Sequence, residues 1–158
     1  MQRIMPLPSL LCAVVLCLMA SWPSGSPVAS AQEKAGKAEA VKQELAALQG
    51  TWKWLNFEQG GKDAPIVVET FYVFQNDRLI VKNKDKTVLQ GTVSLDPTTS
   101  PRQLDVQFDS GQTDVTIYIR VGEYLIQCGH RDGKTRPTEF ASGTPKGGAY
   151  LIVMKRQK

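Results

Sequence analysis

The tripeptide Cys128-Gly129-His130 sets a thiol two residues from the only histidine in the chain. A thiolate beside an imidazole base is a nucleophilic pair when the two reach hydrogen-bond distance and a third group orients the ring. On an extended strand both side chains share one side, but Gly129 between them leaves the local geometry open. Metal binding asks for more than this pair, because a structural zinc takes four ligands and the other cysteines, Cys12 and Cys17, sit in an apolar N-terminal run. His130-Arg131-Asp132 has the form of a kinase catalytic-loop triplet, yet "GKTRPTEF" follows without the downstream Asn. "GTPKGG", residues 143–148, lacks the spacing and the Lys-Ser/Thr ending of a phosphate loop. These residues form no convincing catalytic constellation. A non-enzymatic protein without metal or cofactor is the expectation.

Two other sets of residues suit binding better than reaction. The stretch 129–148 is the longest without strand character, and long connections in compact domains are often functional. Its Arg131, Lys134, Arg136 and Lys146 outnumber Asp132 and Glu139. An anionic group at a rim is therefore one expectation, with Arg136 as the bidentate donor. The structural alternative is that Arg136-Pro137 fixes an extended lead-in and Phe140 packs onto the body. The second set begins with Trp52 and Trp54, which alternate on one side of an extended run and serve either as a stopper or as a ligand surface.

The elements that must hold these residues follow from periodicity. Across residues 33–49, Ala38, Val41, Leu45 and Leu48 recur at spacings of three and four, which predicts a helix with one narrow apolar stripe. It is expected to start near Ala38 after a tail at about 32–36, and to stop at Gly50, where glycine accepts the left-handed turn past a helix end. Beyond Gly50, β-branched and aromatic runs alternate in polarity between Gly, Pro, Asn and Asp. Eight strands are expected: 51–58, 66–74, 78–82, 87–95, 102–109, 113–121, 123–128 and 149–156. Most connectors are too short for a parallel crossover, so neighbours are antiparallel.

In "RQLDVQFD" Leu104, Val106 and Phe108 share a face, and in the next strand Val115, Ile117, Ile119 and Val121 do so. One-sided strands must curl up or gain a second layer, and closure removes exposed edges. Eight is the number at which a closed barrel has interior enough for side chains or one small ligand. Leu55 and Phe57 face outward by alternation, and the helix is expected to cover them.

The first residues, with Arg3 ahead of an apolar run from Leu7 to Ala20 and then Pro, Gly and Ser, have the layout of a secretory signal peptide. The run is shorter than the ~20 residues of a membrane span. Ala29-Ser30-Ala31 predicts cleavage after Ala31. Leu precedes both Cys12 and Cys17, which argues against lipid-anchor processing. The exported chain, secreted or periplasmic and not integral to a membrane, then keeps Cys128 alone, either buried or pairing two copies; a monomer is expected. The net charge of +4, mixed in sign along the chain, is no nucleic-acid footprint.

Gly50-Thr51-Trp52 resembles the GxW element that opens the first strand of lipocalins and related calycin barrels, with Lys155 or Arg156 as the basic residue over that Trp. Together "LQGTWKW", "GTVSLDPTTSPRQLDVQF", "YIRVGEYLIQC", "RPTEF" and "LIVMKR" resemble a small exported lipocalin-like domain family of planctomycete-type bacteria. The resemblance implies a barrel outside the cytoplasm and brings no catalytic residues. Thr113-Asp114 is similar to the superfamily's second motif, but it begins a predicted strand and carries no weight.

The expected architecture is all-β: an eight-stranded antiparallel up-and-down barrel over 50–158, with a tail and one helix over 32–49 and a signal peptide over 1–31. Candidate ligand contacts in the interior or rim are Trp52, Trp54, Phe74, Leu104, Val106, Phe108, Ile117, Ile119, Cys128 and Arg136. The expected ligand is small and apolar or amphiphilic. The alternative is a protein or envelope interaction module with a filled core.

Overall fold

A computed structural model describes residues 27–143 and 148–158. Helix α1 spans Pro27–Leu48, starting well before Ala38 and carrying Gly36 within it. One interior glycine costs only ~1 kcal/mol against alanine, and the surrounding residues are rich in helix formers. Proline at the first helical position loses nothing, since its missing N–H would have no partner there. Gly50, at φ +108°, turns the chain out of the helix and into the first strand. Most of the expected signal peptide lies outside the described residues, and its expected cleavage point falls within α1.

The strands are β1 (Gly50–Gln59), β2 (Lys62–Asp63), β3 (Thr70–Gln75), β4 (Arg78–Asn83), β5 (Lys86–Asp96), β6 (Arg102–Phe108), β7 (Thr113–Val121), β8 (Tyr124–His130) and β9 (Ala149–Arg156). Each pairs antiparallel with its neighbour, and β1 pairs with β9 from Trp52↔Arg156 to Gln59↔Tyr150. The eight long strands thus close into an up-and-down barrel, as expected, while β2 is a two-residue addition beside Glu58 and Gln59. The strand expected at 66–74 starts only at Thr70, so residues 64–69 leave the sheet.

Two registers decide what faces inward. Between Trp54 and Asn56 the β1–β9 ladder slips by one residue, making Leu55 an extra residue in β1. The bulge reverses the alternation, so Phe57 joins Trp54 against the core while Leu55 stays 49% exposed. Contrary to expectation, α1 does not cover this wall.

In β7, Thr116 lies opposite Leu104 on one side and Gly129 on the other, and Tyr118 lies opposite Gln127. The inward residues are therefore Asp114, Thr116, Tyr118 and Arg120. Ile117 and Ile119 face outward, a correction to their expected place in the lining. Part of the polar interior is paired locally: Gln127 donates to the Thr116 hydroxyl at 3.1 Å, and that hydroxyl donates to the Leu104 carbonyl at 2.5 Å, while the Tyr118 hydroxyl and the Gln127 Oε1 are buried without a hydrogen-bond partner. Tyr118 joins the core, whereas Ile117 and Ile119 do not.

Helix α1 instead closes one end of the cylinder. Leu48, Leu45 and Val41 pack on the core formed by Trp52, Phe74, Leu79, Leu95, Leu104 and Met154. Glu44 receives Arg102 at 3.2 Å and Arg120 at 3.5 Å, and Lys37 pairs with Asp96, so the helix is tied to the ends of β5, β6 and β7. Trp52 is fully buried and its indole N–H donates to the Leu48 carbonyl at 2.8 Å, which fits the expected stopper role.

Candidate functional site

The opposite end is open. β1, β4, β6 and β8 finish there, and a hollow of about 230 Å³ enters the barrel between them. Its apolar wall comes from Trp54 and Phe57 of β1, Tyr72 of β3, and Tyr150 and Ile152 of β9; Gln112, Asp114, His130 and Arg131 stand around its mouth. The rings brace one another. Trp54 meets Tyr72 edge-on with centroids 5.4 Å apart, stacks on Phe57 at 5.5 Å, and Phe57 in turn meets Tyr150 at 6.3 Å.

Asp114 is the acidic residue lining this aromatic pocket, beside Arg131 at the rim. It sits near the start of β7 on the inward side, and the Tyr150 hydroxyl donates to its Oδ2 at 2.5 Å. Burial raises the Asp114 carboxyl above its ordinary value, with the Tyr150 hydrogen bond offsetting part of that rise. Burial likewise pushes the Tyr72 and Tyr150 phenols up, so both stay neutral donors. Gly129 makes room for Tyr150: a Cβ there would lie 2.3 Å from the phenol oxygen. At the rim, Arg131 donates to Gln59 and the His130 Nδ1 lies 3.2 Å from Asp132. Asp132 is itself held by Thr135 and the Lys134 amide, which keep its carboxyl well below the usual range.

A second hollow, about 220 Å³, adjoins the first through Trp54 and Phe57 and is otherwise lined by Pro65, Ile66, Val67, Val68 and Thr70. A larger hollow, about 480 Å³, is on the outer wall beside Pro101, Ile119 and Phe140. Its two cations, Arg102 and Arg120, are already engaged by Glu44.

The expected site residues divide into three groups. Trp54 lines the mouth. Trp52, Phe74, Leu104, Val106 and Phe108 point inward but fill the barrel as core. Ile117, Ile119 and Cys128 belong to the outside of the wall, and Arg136 to the 131–143 segment that crosses it. Arg136 grips Asp105 through two 2.7 Å bonds and donates to the Thr116 carbonyl at 2.7 Å, so its fork is occupied by the protein itself. The connection is held by this clamp, by Ser142 on Glu58 at 3.1 Å, and by the Cys128 thiol on the Ala141 carbonyl at 3.5 Å. Phe140 stays 37% exposed and is not the expected anchor. Cys128 is free and buried, and burial raises its thiol, which opposes the thiolate that a nucleophile requires.

Asp114, Tyr150, Tyr72 and Phe57 were not singled out by sequence. Asp114 entered the sequence reading only within Thr113-Asp114, and its side of the strand, shared with Thr116 and Arg120, reads as the wet one. Phe57 had none, because a bulge is invisible to strict alternation. Among the described residues no three His, Cys, Asp or Glu are grouped to hold a metal, and no helix is long and apolar enough to cross a membrane. Compared with family models, curated proteins and solved structures, the chain gives no match.

Proposed function

We propose that this chain is an exported, non-enzymatic, lipocalin-like binding protein that takes a small amphiphilic molecule at the open end of its barrel. The supporting observation is one half-buried carboxylate, Asp114, sharing a hollow with four aromatic rings. Ring faces carry negative potential and attract cations, and a carboxylate in a low-dielectric site strengthens that preference. The reading is an apolar or aromatic body with an amine head directed at Asp114. Export rests on the N-terminal sequence, with Gln32 as the first residue of the processed chain; N-terminal sequencing of protein recovered from the cell envelope or medium tests it.

Calorimetry with three probes of one shape, 2-(1-naphthyl)ethylamine, its alcohol and its carboxylate counterpart, tests the ligand reading. The amine binds best, and Asp114→Asn weakens it by about tenfold, or ~1.4 kcal/mol. Equal affinity for all three, or none for any, defeats the amine reading. The filled closed half of the barrel favours the second reading, an interaction module, and absence of binding by all three probes supports that instead.

A further inference from the structure

We infer that the side hollow between β1 and the 64–69 segment receives the apolar tail of the same ligand, so that the molecule is bent, with its head at Asp114 and its tail across Trp54. This rests on the reading of the mouth as a ligand site. The barrel wall is incomplete here, because the β1–β3 ladder ends at Lys53↔Phe71. Beyond it the chain makes an arch pinned at both feet: the Ala64 amide donates to the Phe57 carbonyl at 2.8 Å, and the Glu69 carbonyl accepts the Lys84 amide at 2.8 Å. Between the feet stand Pro65, Ile66, Val67 and Val68, an unbroken apolar stretch with Val67 89% exposed.

Such a stretch beside an opening offers a flexible hydrocarbon chain what a solvated loop does not. The two hollows share the rings of Trp54 and Phe57 as lining. The Trp54 indole N–H is buried without a hydrogen-bond partner, so no polar contact fixes that ring as a wall. Size points the same way. At about 230 Å³ the mouth falls short of the ~300–1,000 Å³ usual for small-ligand pockets, whereas mouth and side hollow together fall inside that range. An unbranched alkyl tail has the width and flexibility to pass a displaced aromatic ring.

The test is calorimetric titration of the processed chain with butylamine, hexylamine, octylamine and decylamine, below their aggregation limits. The same series is run on Ile66→Trp and Val68→Trp, each chosen to fill the side hollow. In the unmodified protein affinity climbs by about fourfold per added methylene through decylamine. In the filled variants butylamine binds as before, but the climb stops once the chain has filled the mouth. Matching chain-length profiles in all three proteins, or a plateau at hexylamine in the unmodified one, overturn the tail site while leaving the mouth reading intact. No binding at any length overturns both. Unchanged butylamine affinity and an unchanged melting transition show that a filled variant has folded.

Discussion

The guanidinium of Arg156 lies 4.3 Å from the centre of the Trp52 ring, and the same group donates to the Gln49 and Ala47 carbonyls at the end of α1. One side chain thus joins the last strand, the first strand and the helix terminus. Arg156→Ala is expected to cost about 2–3 kcal/mol, since two charge-assisted bonds and a ring contact go together. Arg156→Lys recovers less than half, because an ammonium cannot make the planar fork. Urea unfolding of both variants checks this, beside Trp52→Ala at ~3–5 kcal/mol.

Gly129 and Tyr150 are directly opposed across β8 and β9. Gly129→Ala sets a methyl 2.3 Å from the phenol oxygen and 2.4 Å from its ring carbon. The ring must move and its bond to Asp114 is lost, so the variant melts lower and binds the amine probe at least about fivefold more weakly, ~1 kcal/mol. A variant with unchanged amine affinity would show that the Tyr150–Asp114 pair does not shape the site.

Arg136 holds the 131–143 segment over Cys128. Arg136→Ala is expected to lower stability by about 1–2 kcal/mol and to speed the reaction of Cys128 with a thiol reagent by an order of magnitude or more. Timed labelling under native conditions measures this. Phe140→Ala, at an exposed position, leaves the rate nearly unchanged.

Two carboxylates give opposite pH signatures. Lys37 first, then Thr98, hold the Asp96 carboxyl down at about 2, so its contribution to stability is full above the ordinary aspartate value and is lost as pH falls through about 2. Asp114 is raised by burial, so its contribution is full below the ordinary value and is lost as pH rises through the raised one. Melting temperature against pH should therefore show Asp114→Asn more stable than the unmodified chain near neutrality, with the gap closing in acid. Asp96→Asn shows the reverse trend. Amine affinity falls in acid as Asp114 takes up its proton.

The barrel was legible because the pattern on strands such as Arg102–Phe108 is local and strict: Leu104, Val106 and Phe108 can only face one way. Short connectors then made antiparallel neighbours the expected arrangement for most strands. β7 misled for a physical reason. Its apolar side, Ile117 and Ile119, resembles a lining, yet Ile117 is buried from outside by the Arg136 connection, while Thr116 and Tyr118 find hydrogen bonds or ring packing within. Amphipathicity shows that two faces differ, and a long connection can reverse which one is dry. The site escaped for a related reason. Asp114, Tyr72 and Tyr150 are far apart in the chain, and only closure of the sheet brings them to one rim.

That closure joins Trp52 to Arg156 and Gln59 to Tyr150, residues near opposite limits of the barrel sequence. The seam cannot be sewn until its final strand has been synthesised, so a nascent chain carries an unfinished sheet with two raw margins up to that moment. Loss of even the segment from Met154 onward would leave Trp52 without its lid and Tyr124 and Leu125 of β8 without their partners. Until β9 docks, the facing margins of β1 and β8 are unpaired strand edges of the kind that invite pairing with another chain.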